Sequence, residues 1–270
     1  MQDYASALSD LNKCLELDPQ LTMALSNRAT VYVKMNRNDD ALADYNRLIT
    51  LKPSDPGLYA ARGQILLAAD RASDALKDFD RALELDPQML RVREMRGDAF
   101  LEMQQYKEAV ADFTAVLQED PRNVTVLTNR GKAYEALKMG DAAIRDFSLA
   151  IESSSRNAPA ALYYQLAKAK LLKGDYDGAI AAFTQELQRK SDYGLAYANR
   201  GVAYRNKGDF AQAAVDFRKA LTLLREPQRV RQVSALLREA EAEIQATREA
   251  QVPRASSSEQ ENQPPHTPGD

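Results

Sequence analysis

Alanine stands at positions 41, 75, 109, 143, 179 and 213, and four residues after each comes a ring: Tyr45, Phe79, Phe113, Phe147, Phe183 or Phe217. The step is 34 residues throughout, except for one of 36 where Ala158 and Pro159 are extra. A period of this length means that each unit is one supersecondary element that cannot bury its own apolar face. Neighbours must therefore stack, and the core becomes a ribbon rather than a closed globule. The period divides the chain into six full units, 22–55, 56–89, 90–123, 124–157, 160–193 and 194–227.

Within each unit apolar residues recur at spacings of three and four, the signature of helix. A polar break near Asn36, Asp70, Gln104, Gly140, Gly174 and Gly208 splits the unit into two helices, and so short a turn makes them antiparallel. Ala29, Gly63, Gly97, Gly131, Ala167 and Gly201, at the eighth position, let the helices approach closely and complement the rings. Pro53, Pro87 and Pro121 end the second helix of three units, because proline lacks the helical donor and disfavours helix in the residue before it.

These residues resemble the tetratricopeptide repeat, whose pattern sets large, small, aromatic, Ala, Phe, Ala and Pro positions along 34 residues. The resemblance implies an all-α fold, a right-handed α-solenoid of stacked antiparallel helix pairs, and a protein that binds other proteins or peptides rather than catalysing a reaction. The fifth unit fits least well. Lys170 replaces an aromatic and Glu186 a small residue, while Ser155, Ser191 and Arg225 stand where the pattern has proline.

Residues 1–21 read as half a unit, a second helix over 3–18 carrying Tyr4, Ala7, Leu11 and Cys14 and followed by Pro19. Its missing first helix leaves part of an apolar face uncovered. Two expectations follow: either the solenoid is the targeting or substrate-presenting arm of a larger protein with more sequence upstream, or this face self-associates. Residues 228–249 read as a capping helix with Val230, Val233, Leu237, Ala240 and Ile244 on one face, and the Ser-, Gln- and Pro-rich residues 250–270 as a disordered tail. The lone Cys14 excludes an internal disulfide and reads as a small buried helix residue. No run approaches the roughly 20 apolar residues of a membrane span, and the N-terminus lacks a basic, apolar leader. A cytoplasmic location is expected.

Five units carry arginine at position seven, Arg28, Arg62, Arg96, Arg130 and Arg200, and aspartate at position twenty-three, Asp44, Asp78, Asp112, Asp146 and Asp216. The fifth unit has lost both, to Leu166 and Ala182. Joint loss implies a structural ion pair between the two helices of one unit, since a half-buried guanidinium needs a partner. A partnership with the next unit would leave Asp146 and Arg200 unmatched.

No catalytic, metal or cofactor site is expected. The single histidine, His266, lies in the predicted tail, and no zinc, nucleophile-elbow or phosphate-loop pattern occurs. The formal charge of −3 gives no general reason to bind nucleic acid or an anionic membrane.

In the proteins this chain resembles, first helices line a concave groove. Carrying their inward positions over gives Met23, Asn27, Thr30, Val33 and Lys34 in the first unit, then Arg91, Glu94, Met95, Asp98 and Glu102 in the third. The fourth unit supplies Asn129, Lys132 and Glu135, the fifth Tyr164, Gln165, Lys168 and Leu171, and the sixth Asn199 and Arg205. Asn27, Asn129, Gln165 and Asn199 share position six, an incomplete carboxamide ladder resembling that of O-linked N-acetylglucosamine transferase repeats and suited to a peptide backbone. Segment 25–35 resembles a co-chaperone repeat. Gly57 and Ala61, however, stand where the clamp for a chaperone's terminal carboxylate needs Lys and Arg, which disfavours that ligand.

Overall fold

The computed structural model describes residues 3–154 and 158–251. The described residues form fourteen helices and no strands. Helix α1 (Tyr4–Leu17) is followed by the pairs α2 (Thr22–Lys34) and α3 (Asn38–Leu51), α4 (Pro56–Ala68) and α5 (Ala72–Leu85), and α6 (Leu90–Glu102) and α7 (Tyr106–Glu119). Next come α8 (Val124–Ala136) and α9 (Gly140–Ser153), α10 (Ala160–Lys173) and α11 (Tyr176–Arg189), α12 (Gly194–Lys207) and α13 (Phe210–Leu223), and finally α14 (Pro227–Gln251). This is the all-α architecture of stacked helix pairs that the 34-residue period predicts.

The chain divides into two compact units between Asp175 and Tyr176. In the first unit consecutive helices pack on each other, and first helices of successive repeats also touch, α4 on α6 and α6 on α8. In the second unit α11 packs on α12, α12 on α13 and α13 on α14.

Four repeats are joined internally by one close approach. A Cβ at Gly97 would lie 2.6 Å from the Phe113 ring, at Gly131 2.6 Å from Phe147, at Gly63 2.7 Å from Phe79 and at Gly201 2.7 Å from Phe217. Alanine normally favours a helix over glycine by about 1 kcal/mol. Here the added methyl would have to displace a ring that is fully buried, which reverses that preference.

The turns inside the pairs require one residue at positive φ: Asn36 (57°), Asp70 (55°), Gln104 (59°), Lys138 (61°), Gly174 (81°) and Gly208 (90°). In the fourth repeat the turn is therefore centred on Lys138, and the Gly140 expected there begins α9 instead. The turn follows the register of the repeat rather than the nearest glycine. Ends are capped in the usual ways: Asp55 accepts from the Gly57 amide at 2.9 Å, Asn123 from Val126 at 3.1 Å and Asp209 from Gln212 at 3.0 Å.

Cys14 is exposed, contrary to the expected burial. Residues at its repeat position, such as Leu48, Val116 and Ala150, are buried in complete repeats. Helix α1 packs against α2, and among the described residues the face carrying Ala7 and Cys14 meets no first helix of its own repeat. Leu17, near the end of α1, is 89% exposed.

Helix α14 starts at Pro227, and Val230, Val233, Leu237, Ala240 and Ile244 pack into the cluster that holds Ala213, Phe217 and Ala220. It continues to Gln251, two residues past the expected end. The remainder of the predicted tail, with His266, lies outside the described residues, as does Ser155. Among the described residues no helix is long and apolar enough to cross a membrane, and no three His, Cys, Asp or Glu side chains are placed to hold a metal ion.

Candidate functional site

The arginines set the spacing of the first helices on which a binding face depends. Each guanidinium donates two parallel hydrogen bonds, from Nε and Nη2, to the aspartate of its own repeat. The distances are 2.8 and 2.6 Å for Arg28 on Asp44, 2.7 and 2.6 Å for Arg62 on Asp78, and 2.7 and 2.8 Å for Arg96 on Asp112. Arg130 on Asp146 has 2.8 Å for both, and Arg200 on Asp216 has 2.7 and 2.8 Å. The aspartates are buried and the arginines mostly so. Bonding to the carboxylates raises the pKa of all five arginines, against the opposing effect of burial.

Pairing within a repeat is only half of the arrangement. The remaining Nη1 reaches the preceding repeat: Asn12 at 2.8 Å, Asn46 at 2.7 Å, Asp80 at 2.7 Å, and Thr114 and Thr184 at 3.0 Å. The neighbouring-repeat partner is not the aspartate of position twenty-three but the residue two places after it. A small polar side chain sixteen residues before each arginine was the available signal. The guanidinium carbons also lie 5.5–5.9 Å from a ring of the same helix, Tyr32, Tyr59, Phe100, Tyr134 or Tyr197. Each arginine thus fixes two helices of one repeat and ties them to the one before.

Several first-helix residues expected to await a ligand are already engaged across repeats. Asn129 donates to Asp98 at 2.8 Å and accepts from Lys132 at 3.1 Å, so half of its carboxamide capacity is spent inside the protein. Lys168 pairs with Glu135 at 2.6 Å. In the second unit Arg205 pairs with Glu239 of α14 at 2.8 Å, because the capping helix brings a carboxylate over that end. Asn27 is exposed, and Tyr164, Leu171 and Asn199 are half-buried. Met95 packs beside the cluster of Phe79, Ala82 and Val92. Gln165 has its carbonyl oxygen buried with no partner among the described residues. The carboxamide ladder is therefore not four equivalent open groups.

Two hollows lie on the first-helix side of the first unit. One, of about 260 Å³, is lined by Thr30, Val33, Lys34, Asn38 and Tyr45 of the first repeat with Ala61, Gln64, Ile65 and Ala68 of the second. The other, of about 350 Å³, is lined by Glu135, Lys138, Gly140 and Ala143 of the fourth repeat with Ala169, Leu172 and Lys173 of α10. Both use positions twelve and seventeen of one repeat and ten and thirteen of the next, so they are the same place three repeats apart. Sequence reasoning named Val33, Lys34 and Glu135 but missed Leu172, which is 73% exposed. A third hollow, of about 280 Å³, lies around Asn46, Arg62 and Asp78, whose polar groups already satisfy one another.

Between the two first-helix hollows runs α6, with Glu94, Asp98 and Glu102 one turn apart. Burial pushes the Asp98 carboxyl up to about 6, with Glu94 and Glu102 adding to the rise and Asn129 and Lys132 opposing it. None of the three forms an ion pair among the described residues.

Models of the tetratricopeptide repeat match residues 28–97, 194–226, and 1–21 with 160–193, and a TPR repeat model matches 97–138. No curated protein sequence matches the chain. Among solved structures, the C-terminal part of a TPR repeat-containing protein from Cytophaga hutchinsonii is similar at a TM-score of 0.70 and 18% identity, covering 86% of this chain and 94% of that one. A tetratricopeptide repeat protein from Parabacteroides merdae has a TM-score of 0.60 at 20% identity, covering 87% and 92%. YrrB, a TPR protein with an unusual peptide-binding site, has a TM-score of 0.63 at 21% identity, covering 73% and 97%.

Proposed function

Since the chain belongs to the tetratricopeptide repeat family, we propose that it is a non-enzymatic interaction scaffold that holds a segment of a partner protein along the first helices of residues 22–173. The observation that carries this reading is the recurrence of one apolar-floored hollow at equivalent repeat positions. Ala61, Ile65 and Ala68 line one and Ala143 and Ala169 the other, and the flanking Val33 and Leu172 are exposed although apolar. An exposed apolar residue at the rim of a preformed hollow is what an anchor side chain buries on binding. YrrB, similar in fold, is a TPR protein with a peptide-binding site, which supports a peptide-binding role in general.

Affinity capture with the wild-type chain, a Val33→Asp/Leu172→Asp variant and a Val215→Asp variant tests it. Val215 is 55% exposed, on the second helix α13. Partner recovery is expected to fall at least about tenfold with the paired first-helix change, roughly 1.4 kcal/mol, and to stay within about twofold with Val215→Asp. Equal losses would contradict the first-helix face as the binding surface.

A further inference from the structure

The charge along the first-helix face of the first unit is unevenly settled. Toward α10 the acids are neutralised across repeats, Glu135 by Lys168 at 2.6 Å and Asp141 by Lys173 at 2.7 Å. On α6 Glu94, Asp98 and Glu102 follow one another at intervals of four, so like charges are neighbours on one strip of the helix, an arrangement that costs a few tenths of a kcal/mol per pair. The adjacent ammonium, Lys132, is hydrogen-bonded to the Asn129 oxygen rather than to a carboxylate. Asp98 and Glu102 occupy repeat positions nine and thirteen, which Thr30, Gln64, Ala68 and Leu172 fill where they line the hollows. The strip therefore lies on the same face as the hollows and between them.

This arrangement selects among occupants. An acidic segment would meet repulsion on α6, and a wholly apolar one would cover three carboxylates without pairing them, which is costly. A segment with cations at its middle gains there what the protein itself leaves unmet.

We propose that the occupant of this face is a basic protein segment with apolar residues on either side of its cations. The apolar side chains seat in the hollows at α2/α4 and α8/α10, and a lysine or arginine between them meets the carboxylates of α6. The inference rests on the binding reading above and adds the chemistry of the partner.

The test is fluorescence anisotropy of the full chain with three labelled synthetic 12-residue peptides, patterned with Leu and Lys, Leu and Glu, or Ser and Lys. The Leu–Lys peptide is expected to bind at least tenfold more tightly than either of the others. Its affinity should drop at least tenfold in Glu94→Gln/Asp98→Asn/Glu102→Gln but less than twofold in Glu84→Gln/Glu108→Gln/Glu119→Gln, which removes the same charge from second helices. Because the three acids on α6 repel one another, the first variant should melt no lower than wild type, so lost binding is not lost folding. Equal losses in both triple variants would reduce the effect to net charge and overturn the proposal. If the Leu–Glu peptide binds as well as Leu–Lys and Leu172→Asp still weakens both, the partner chemistry is wrong while the face survives. If Leu172→Asp leaves Leu–Lys binding intact, the face itself is wrong.

Discussion

Asp112→Ala is expected to destabilise the first unit by about 3–5 kcal/mol, the largest effect of any single substitution considered for this chain. Asp112 is buried, and Arg96 gives it both Nε and Nη2. Without the carboxylate, Arg96 keeps one counter-charge, Asp80, which is itself largely exposed, and a charge in a mostly buried site loses its main partner. The loss exceeds that of a surface ion pair, which contributes about 0–1 kcal/mol, because the cost is that of the unpaired buried charge rather than of the bond. The protein contains its own control. Its fifth repeat fills the same two positions with Leu166 and Ala182, and Leu166 packs apolarly with Ala143 and Phe147. The double change Arg96→Leu/Asp112→Ala should therefore recover most of the stability lost in Asp112→Ala. Urea denaturation followed by circular dichroism checks both. A cost below about 1 kcal/mol for the single change, or a double variant no better than the single, would show that the pair is not what holds the repeat.

Glu186 is the reverse case, a buried carboxyl with no ion-pair partner among the described residues. It is 1% exposed, and one carboxylate oxygen has no partner among the described residues. Other repeats place Leu48, Ala82, Val116, Ala150 and Ala220 at this position. Burial pushes its pKa up from 4.5 to about 7, with Lys190 one turn along α11 acting weakly in the other direction. The cations of α12 are committed elsewhere, Arg200 to Asp216, Arg205 to Glu239 and Lys207 to Asp177. Because the folded pKa lies above the unfolded one, the stability that goes with the neutral carboxyl is complete below pH 4.5 and is lost as pH rises through 7. Wild-type stability should accordingly fall by roughly 3 kcal/mol relative to Glu186→Ala between pH 4.5 and 8. Melting the two proteins across that range decides the matter. Curves that stay parallel would mean that Glu186 finds a partner or water.

The repeat was readable because stacking imposes similar volume constraints in every unit: a small residue faces the ring throughout, and in four repeats, as with Gly97 beneath Phe113, the ring takes the place of a Cβ. The joint absence of arginine and aspartate in the fifth repeat was readable for the same reason, since a pair is lost together. What stayed hidden depends on neighbours that spacing does not specify. Asn12, Asn46 and Thr114 are ordinary polar residues on a second helix until a guanidinium from the next repeat arrives. The turn at Lys138 was misplaced because Gly140 is a stronger local signal than register. Cys14 follows a buried pattern whose covering helix is not among those described. Asn129 looked like an open ligand group because its partners, Asp98 and Lys132, are themselves first-helix residues. The hollows arise from the joint sizes of four positions across two repeats, and single-position reading passes over them.

Amide hydrogen exchange of the full chain, measured with and without a captured partner segment, tests the scaffold reading most directly. Slower exchange centred on the first helices α2, α4, α6, α8 and α10, with smaller changes in α3, α5, α7 and α9, is the predicted result. Protection centred on the second helices, or on none of these, would contradict it.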